Sequence, residues 1–155
     1  MKAVTVLAPW PHLIAIGAKP YEFRNWRLPR FMWGQKFVLH AGAPPATHTA
    51  IKTLLKRLEL GDWTAGLHAE TAAPYLESVL RGEITPALKC GLGTARFGYP
   101  TQTPKMPVPM PDGESMDNWA WPVSEFKAFP APQPCNGQQG FWDYTGPGHP
   151  VGVKS

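Results

Sequence analysis

Cysteine is almost missing from this 155-residue chain: Cys90 and Cys135 are the only two, in unlike surroundings and without metal-ligand spacing. That argues against a disulfide framework and against a cysteine-ligated zinc. No stretch approaches the roughly 20 apolar residues a membrane-spanning helix needs, and no N-terminal apolar run is long enough for a secretory leader. The chain is therefore expected in the cytoplasm, with reduced thiols and no membrane partner. Internal repeats and coiled-coil heptads are absent too. The five histidines show no HExxH or other ligand spacing, so no metal site is expected from them. The length leaves room for one core, expected over residues 1–146, with residues 147–155 as a loose tail.

What is present in quantity is proline, glycine and tryptophan. Nineteen prolines and fifteen glycines predict short elements joined by shaped loops. Seven tryptophans are more than so small a domain easily buries, which places one or two near a ligand surface. Charge is uneven. Residues 1–60 hold nine Lys or Arg against two acids, whereas residues 61–155 hold six against nine. A basic end of that kind suits a phosphate-bearing partner.

Hydropathy patterning predicts an α+β fold. Residues 2–8 read as an opening strand. Pro9-Trp10-Pro11 breaks it, and His12–Ile16 supplies a short helix closed by Gly17. Alternation over 21–26 sets Tyr21, Phe23 and Asn25 on one side, and Glu22, Arg24 and Trp26 on the other. Residues 35–40 form the next strand. A helix is predicted over 50–60, capped by Thr49, with Ile51, Leu54, Leu55 and Leu58 as its apolar stripe. A second is predicted over 72–81, with Pro74 in its first turn and Tyr75, Leu76, Val79 and Leu80 packing. Strand character returns at 90–97 and 119–129, where Pro122 suggests an edge or a bulge, and Phe141–Tyr144 closes the set. Residues 98–117 and 130–138 read as proline-rich connections. Sheet segments of unequal spacing with helices inserted fit a small mixed β-barrel, with a short helix near the N-terminus and two inserted helices.

The densest polar cluster runs from Lys19 through Glu22, Arg24, Trp26 and Arg27 to Arg30. A carboxylate beside a guanidinium holds a base edge and a phosphate together, and Lys19 at the end of the first helix reaches the same mouth. Trp26 or Trp10 is placed to stack on a base. A structural Glu22–Arg24 pair with Trp26 in the core is the competing reading. His40, at a strand end, is a further candidate for the cavity. His68 and Glu70, before the third helix, are weaker ones, and His12, His48 and His149 weaker still. Gly91-Leu-Gly93-Thr-Ala-Arg96 lacks the dinucleotide fingerprint and reads as close strand packing, with Arg96 adding charge. Cys90 reads as core, and Ser115 and Ser124 sit in no nucleophile motif.

Pro9-Trp10 through Ile14, Gly17-x-Lys19-x-x-Glu22-x-Arg24 and Gly34-x-x-x-x-Leu39-His40-Ala41-Gly42 together resemble the signature of ASCH domains. These belong to the PUA-like β-barrel superfamily. The Gly91-x-Gly93-x-Ala95 strand and Trp121-Pro-Val leading to Gln139-Gly140-Phe141-Trp142 look like the family's second half, so the resemblance covers roughly residues 2–144. It implies a PUA-like barrel with a cleft at Lys19, Glu22 and Arg24, His40 near them, that binds RNA or single-stranded nucleic acid. Related domains read modified bases, and some bacterial members are metal-assisted ribonucleases or amidohydrolases of acetylated cytidine. The amidohydrolase branch carries a threonine nucleophile where this chain has Glu22, which is a poor replacement for a hydroxyl.

Three functions follow as expectations. The first is a monomeric module that binds RNA, single-stranded nucleic acid or a modified nucleotide through Trp10, Lys19, Glu22, Arg24, Trp26, Arg27, Arg30 and His40, with no cofactor. The second is a low-turnover ribonuclease or nucleoside hydrolase using Lys19, Glu22 and Arg24, with a divalent metal if it is a nuclease. The third is a protein-interaction module, to which the prolines between 104 and 111 point.

Overall fold

The computed structural model describes residues 1–102 and 119–146. The segment 103–118, which contains Lys105 and Ser115, and the tail 147–155, which contains His149, lie outside the described residues. Seven strands and three helices follow in the order β1 (Lys2–Val6), α1 (Trp10–Ala15), β2 (Tyr21–Arg24), β3 (Lys36–Ala41), α2 (His48–Glu59), α3 (Ala69–Leu80), β4 (Cys90–Phe97), β5 (Thr101–Gln102), β6 (Trp119–Pro134) and β7 (Phe141–Asp143). The sheet order is β2-β6-β4-β3-β1-β7, with β5 also paired to β6. β1 and β3 run parallel, and the remaining pairs are antiparallel. The result is an α+β fold whose mixed sheet curls into a half-barrel.

β6 makes the curl. Its first residues pair with β2 and β5, and from Val123 onward it pairs with β4. Pro122 stands at that change of partner, in an inner strand rather than at an edge, and its carbonyl accepts the Gly98 N–H at 2.9 Å. The β4–β6 register shifts twice, and Glu125 takes a positive φ of 56° there. Such irregularities bend a sheet toward closure. Gly93 permits the closest approach: a Cβ on it would stand 2.2 Å from the Lys127 carbonyl oxygen. Close packing therefore accounts for the glycines of β4, as the sequence suggests. β6 also runs on to Pro134, where a loop is expected from the sequence. Its prolines at 130, 132 and 134 alternate, so their missing N–H groups fall on one edge and Ala131 and Gln133 keep theirs on the other.

The helices differ from expectation at their starts. α1 begins at Trp10, with Pro11 in its first turn. α2 is capped by Thr47, not Thr49: its side chain accepts from Ala50 N at 3.1 Å. α3 starts at Ala69, which leaves Pro74 inside the helix rather than in its first turn.

Three apolar clusters hold these layers together. Inside the curl, Val4, Val6, Phe37, Leu39, Phe97 and Trp121 are buried, and the Phe37 and Phe97 rings stack 3.8 Å apart. Each such buried phenylalanine is worth about 2–3 kcal/mol. The second cluster joins α1 to the two inserted helices through Leu13, Ile51, Leu54, Ala72 and Leu76. The third lies on the far face of the β1–β3–β7 portion and contains Ala3, Val38, Trp142 and Tyr144. Among the described residues no helix is long and apolar enough to cross a membrane.

Candidate nucleic-acid interface

Beyond the end of α1 the chain turns at Gly17, with a φ of 79°, and the Ala18 and Lys19 N–H groups both fold back onto the Leu13 carbonyl at 2.9 and 3.1 Å. That turn drives the Lys19 side chain inward, where it is only 2% exposed. Its ammonium donates to the Tyr21 carbonyl, stands 3.7 Å from Glu22 Oε1, and lies 4.8 and 5.6 Å from the centres of the Phe23 and Trp10 rings. Burial pushes the Lys19 pKa down, and the Glu22 carboxylate opposes the shift.

Glu22 pairs across the sheet with Trp121 and is 7% exposed. Its Oε1 accepts from Phe23 N at 3.1 Å and its Oε2 from Arg24 Nη2 at 3.3 Å. The same Nη2 donates to the Thr5 carbonyl at 3.0 Å, tying β2 to β1 across the mouth of the curl. Arg24 lies 5.9 Å over Trp121 and, with 27% of its side chain exposed, is the member of the trio that solvent reaches. One carboxylate thus stands between two cations, and the surplus positive charge falls on Arg24.

Trp26 lies beyond the end of β2. It packs edge-on to Trp121 at 4.8 Å and to Phe141 at 5.9 Å, and is 38% exposed. Trp10 covers Lys19 and lines a groove of about 240 Å³ with Pro9, Thr53, Leu54 and Arg57. Lys19 lines a second recess, about 330 Å³, together with Gly17, Ser124 and Glu125.

Arg27 and Arg30 are exposed and arranged differently. The Arg27 guanidinium lies 5.1 Å from Trp33 and 5.3 Å from Trp119, and Arg30 lies 5.5 Å from Trp33. Trp119 is the cross-strand partner of Arg24, which joins this group to the trio. Trp33 is anchored by its indole N–H to the Leu28 carbonyl at 2.9 Å, and the exposed Tyr99 meets it edge-on at 5.6 Å. Among the described residues no carboxylate lies within ion-pair distance of Arg27 or Arg30. Trp33, Trp119 and Tyr99 are absent from the residues singled out in the sequence. The tryptophan count hints at them, but Trp119 meets Arg27 only through the β2–β6 pairing.

His40 does not join the trio. Along β3, Phe37, Leu39 and Ala41 point into the curl, whereas Val38 belongs to the opposite face. Alternation puts His40 on that opposite face, wholly buried and edge-on to Trp142 at 5.3 Å. His68 is exposed, and its N–H donates to the Ala18 carbonyl at 2.8 Å, which fixes the start of α3, with exposed Glu70, beside the Lys19 turn. His12 lines an apolar cavity of about 120 Å³ under α3, where burial lowers its pKa. Arg96 is committed to Glu125 at 2.7 Å and to the Gly34 carbonyl at 2.6 Å. Among the described residues no three His, Cys, Asp or Glu side chains gather in a way that could hold a metal ion.

Compared with known families and with curated proteins, the chain matches no family model and no curated sequence.

Proposed function

We propose that this protein binds single-stranded nucleic acid, RNA foremost, along the surface that runs from Arg24 to Arg27, Arg30 and their tryptophans. The observation that carries this reading is the pair Arg27 and Arg30: two exposed guanidiniums held against indole faces with no described carboxylate to neutralise them. An arginine braced by an aromatic ring keeps its N–H fork free and loses little freedom when it meets a phosphate. Exposed Tyr99 and Trp26 add rings on which bases stack. Arg24, steadied by Glu22 and the Thr5 carbonyl, offers a third contact at the mouth. The resemblance to ASCH domains and the half-barrel both favour a PUA-like module, acting as a cytoplasmic monomer.

A hydrolytic reading at Lys19 and Glu22 draws on one observation, the burial that lowers the Lys19 pKa. Both groups are tied up internally and nearly inaccessible, so binding is the stronger reading. Fluorescence anisotropy with a labelled single-stranded RNA, repeated across salt, tests it. Arg27→Ala and Arg30→Ala should each weaken binding and each lower the slope of log K on log salt by about 0.7. Lys52→Ala, on the exposed side of α2, should change neither. Equal losses in all three variants would remove the surface from the proposal, and salt-independent binding would favour a protein partner. The same samples on a denaturing gel should show intact probe; cleaved probe would favour the hydrolytic reading.

A further inference from the structure

Thr5 and His40 are register partners in the parallel β1–β3 pair, and their side chains meet on the sheet face opposite Lys19. Burial lowers the His40 pKa, so near pH 7 the ring is neutral, and the directions of the hydrogen bonds around the pair follow. An indole N–H only donates and a carbonyl only accepts. Trp142 Nε1 therefore donates to Thr5 Oγ1 at 3.2 Å, and His40 Nε2 donates to the Cys135 carbonyl at 2.8 Å. The imidazole is left with a bare Nδ1, to which the Thr5 hydroxyl donates across 3.2 Å. A hydroxyl, an unprotonated imidazole and a third group that orients the ring form the arrangement by which hydroxyl nucleophiles are activated. The Trp142 N–H occupies one lone pair of the same oxygen, which fixes the hydroxyl rotor toward His40 and leaves the second lone pair for attack.

Thr5 and His40 line a cavity of about 430 Å³ whose rim carries Lys89 and the carboxamides of Asn136, Gln138 and Gln139. Gly137 lies against the pair. A Cβ there would stand 2.6 Å from Thr5 Oγ1 and 2.9 Å from His40 Nδ1, so a residue other than glycine would plant its side chain on both atoms.

We propose that Thr5 is a nucleophile toward small carboxylic esters, with His40 as its general base, at a second site on the sheet face opposite the nucleic-acid surface. Thr5 Oγ1 forms a bond to the acyl carbon as its proton passes to His40 Nδ1. The ester C–O bond then breaks, and the departing alcohol takes that proton. Water attacks the acyl-threonine, its proton passing to Nδ1 and on to Thr5 Oγ1 as the carboxylic acid leaves. A carbonyl rather than a carboxylate orients His40, so the imidazolium is weakly supported and the site suits esters with good leaving groups rather than amides.

The test uses the full chain and p-nitrophenyl acetate. Intact mass and peptide mapping of the wild-type protein should place one acetyl group on Thr5, accompanied by a burst of nitrophenolate. Thr5→Ser should retain the burst. Thr5→Val, which removes the nucleophile, and Gly137→Ala, whose methyl group would cover both reacting atoms, should each abolish the burst. Single-stranded RNA binding should be the same in Gly137→Ala as in the wild type. Acetyl groups confined to lysines, or a burst unchanged in Thr5→Val, would overturn the proposal. The wild-type map decides the matter even if a variant fails to fold.

Discussion

Lys19 and Arg24 on one side, and Arg27 and Arg30 on the other, are near neighbours in the chain, yet the fold treats their charge in opposite ways. Lys19 is taken out of water and must be answered internally, by Glu22 and by the Tyr21 carbonyl. Arg27 and Arg30 stay in water and, among the described residues, are answered by tryptophan faces. A buried ion must be compensated inside the protein, because desolvation costs several kcal/mol per charge. An exposed one bears no such penalty and is left to a partner. The first group therefore reads chiefly as architecture that positions Arg24, and the second as the contact surface.

The largest effect that can break this comparison comes from Glu22. Glu22→Ala strands Lys19 in a site 2% exposed and releases Arg24 from one of its two acceptors. Denaturant unfolding should show a loss of about 3–5 kcal/mol, the range for removing one partner of a buried pair. A loss under about 1 kcal/mol, as for a surface pair, would mean that water reaches Lys19 and that the trio is not a closed unit.

Removing the cation instead should cost little. In Lys19→Met, Glu22 keeps the Arg24 guanidinium and the Phe23 N–H, and an apolar chain of similar length replaces a desolvated ammonium. Stability near neutral pH should stay within about 1 kcal/mol of the wild type or rise. The pH dependence sharpens the point. Burial holds Lys19 below its ordinary 10.5, so the unfolded chain binds the extra proton between the two values. Wild-type stability should therefore gain from this residue as pH rises toward 10.5, and the gain should vanish in Lys19→Met. Tyr75 and Tyr144, both pushed up to about 12 by burial, pull the other way above their usual 10.0. The difference between the two proteins across the alkaline range carries the signal.

How much of this was legible beforehand depends on which physical rule was in play. Alternation alone paired Glu22 with Arg24, since residues two apart on a strand share a face. The strand expected over 90–97 is β4, with those bounds. Alternation also says that Leu39 and His40 point opposite ways, but not which way is inward. That depends on β1 and β7 packing on the same sheet, and on Trp142 and Tyr144 covering one face. His40, a candidate for the cavity beside the trio, therefore lies on the other face. For Trp26 the strand bound differs: β2 stops at Arg24, so the alternation expected over 21–26 does not reach it. The contact of Arg27 with Trp119 joins residues far apart in the chain, across 103–118, and no local pattern announces it. Pro130, Pro132 and Pro134 misled because proline is normally a strand breaker, and their even spacing is what lets the other edge of β6 keep its donors.

The smallest expected effect gives the comparison its surface reference. Asp62, just past α2, accepts from the Thr64 hydroxyl, from Arg57 Nε at 2.9 Å and from the Thr64 N–H at 2.9 Å. Those hydrogen bonds, the Thr64 hydroxyl first, hold its carboxyl down at about 2. A carboxylate with a lowered folded-state pKa contributes stability above its ordinary 3.8, and that contribution is lost as pH falls through about 2. Asp62→Asn should flatten the acid limb of the unfolding curve between these two values and lower neutral-pH stability by only the span lost there, a small one because the cluster is solvated on its outer side. Urea midpoints measured from pH 2 to pH 5 would show it. A neutral-pH loss in Asp62→Asn as large as that of Glu22→Ala would mean that burial is not what separates the Lys19 trio from the protein's other ion pairs. The contrast between an internal charge that must be answered and an exposed one left for a partner would then fail at its premise.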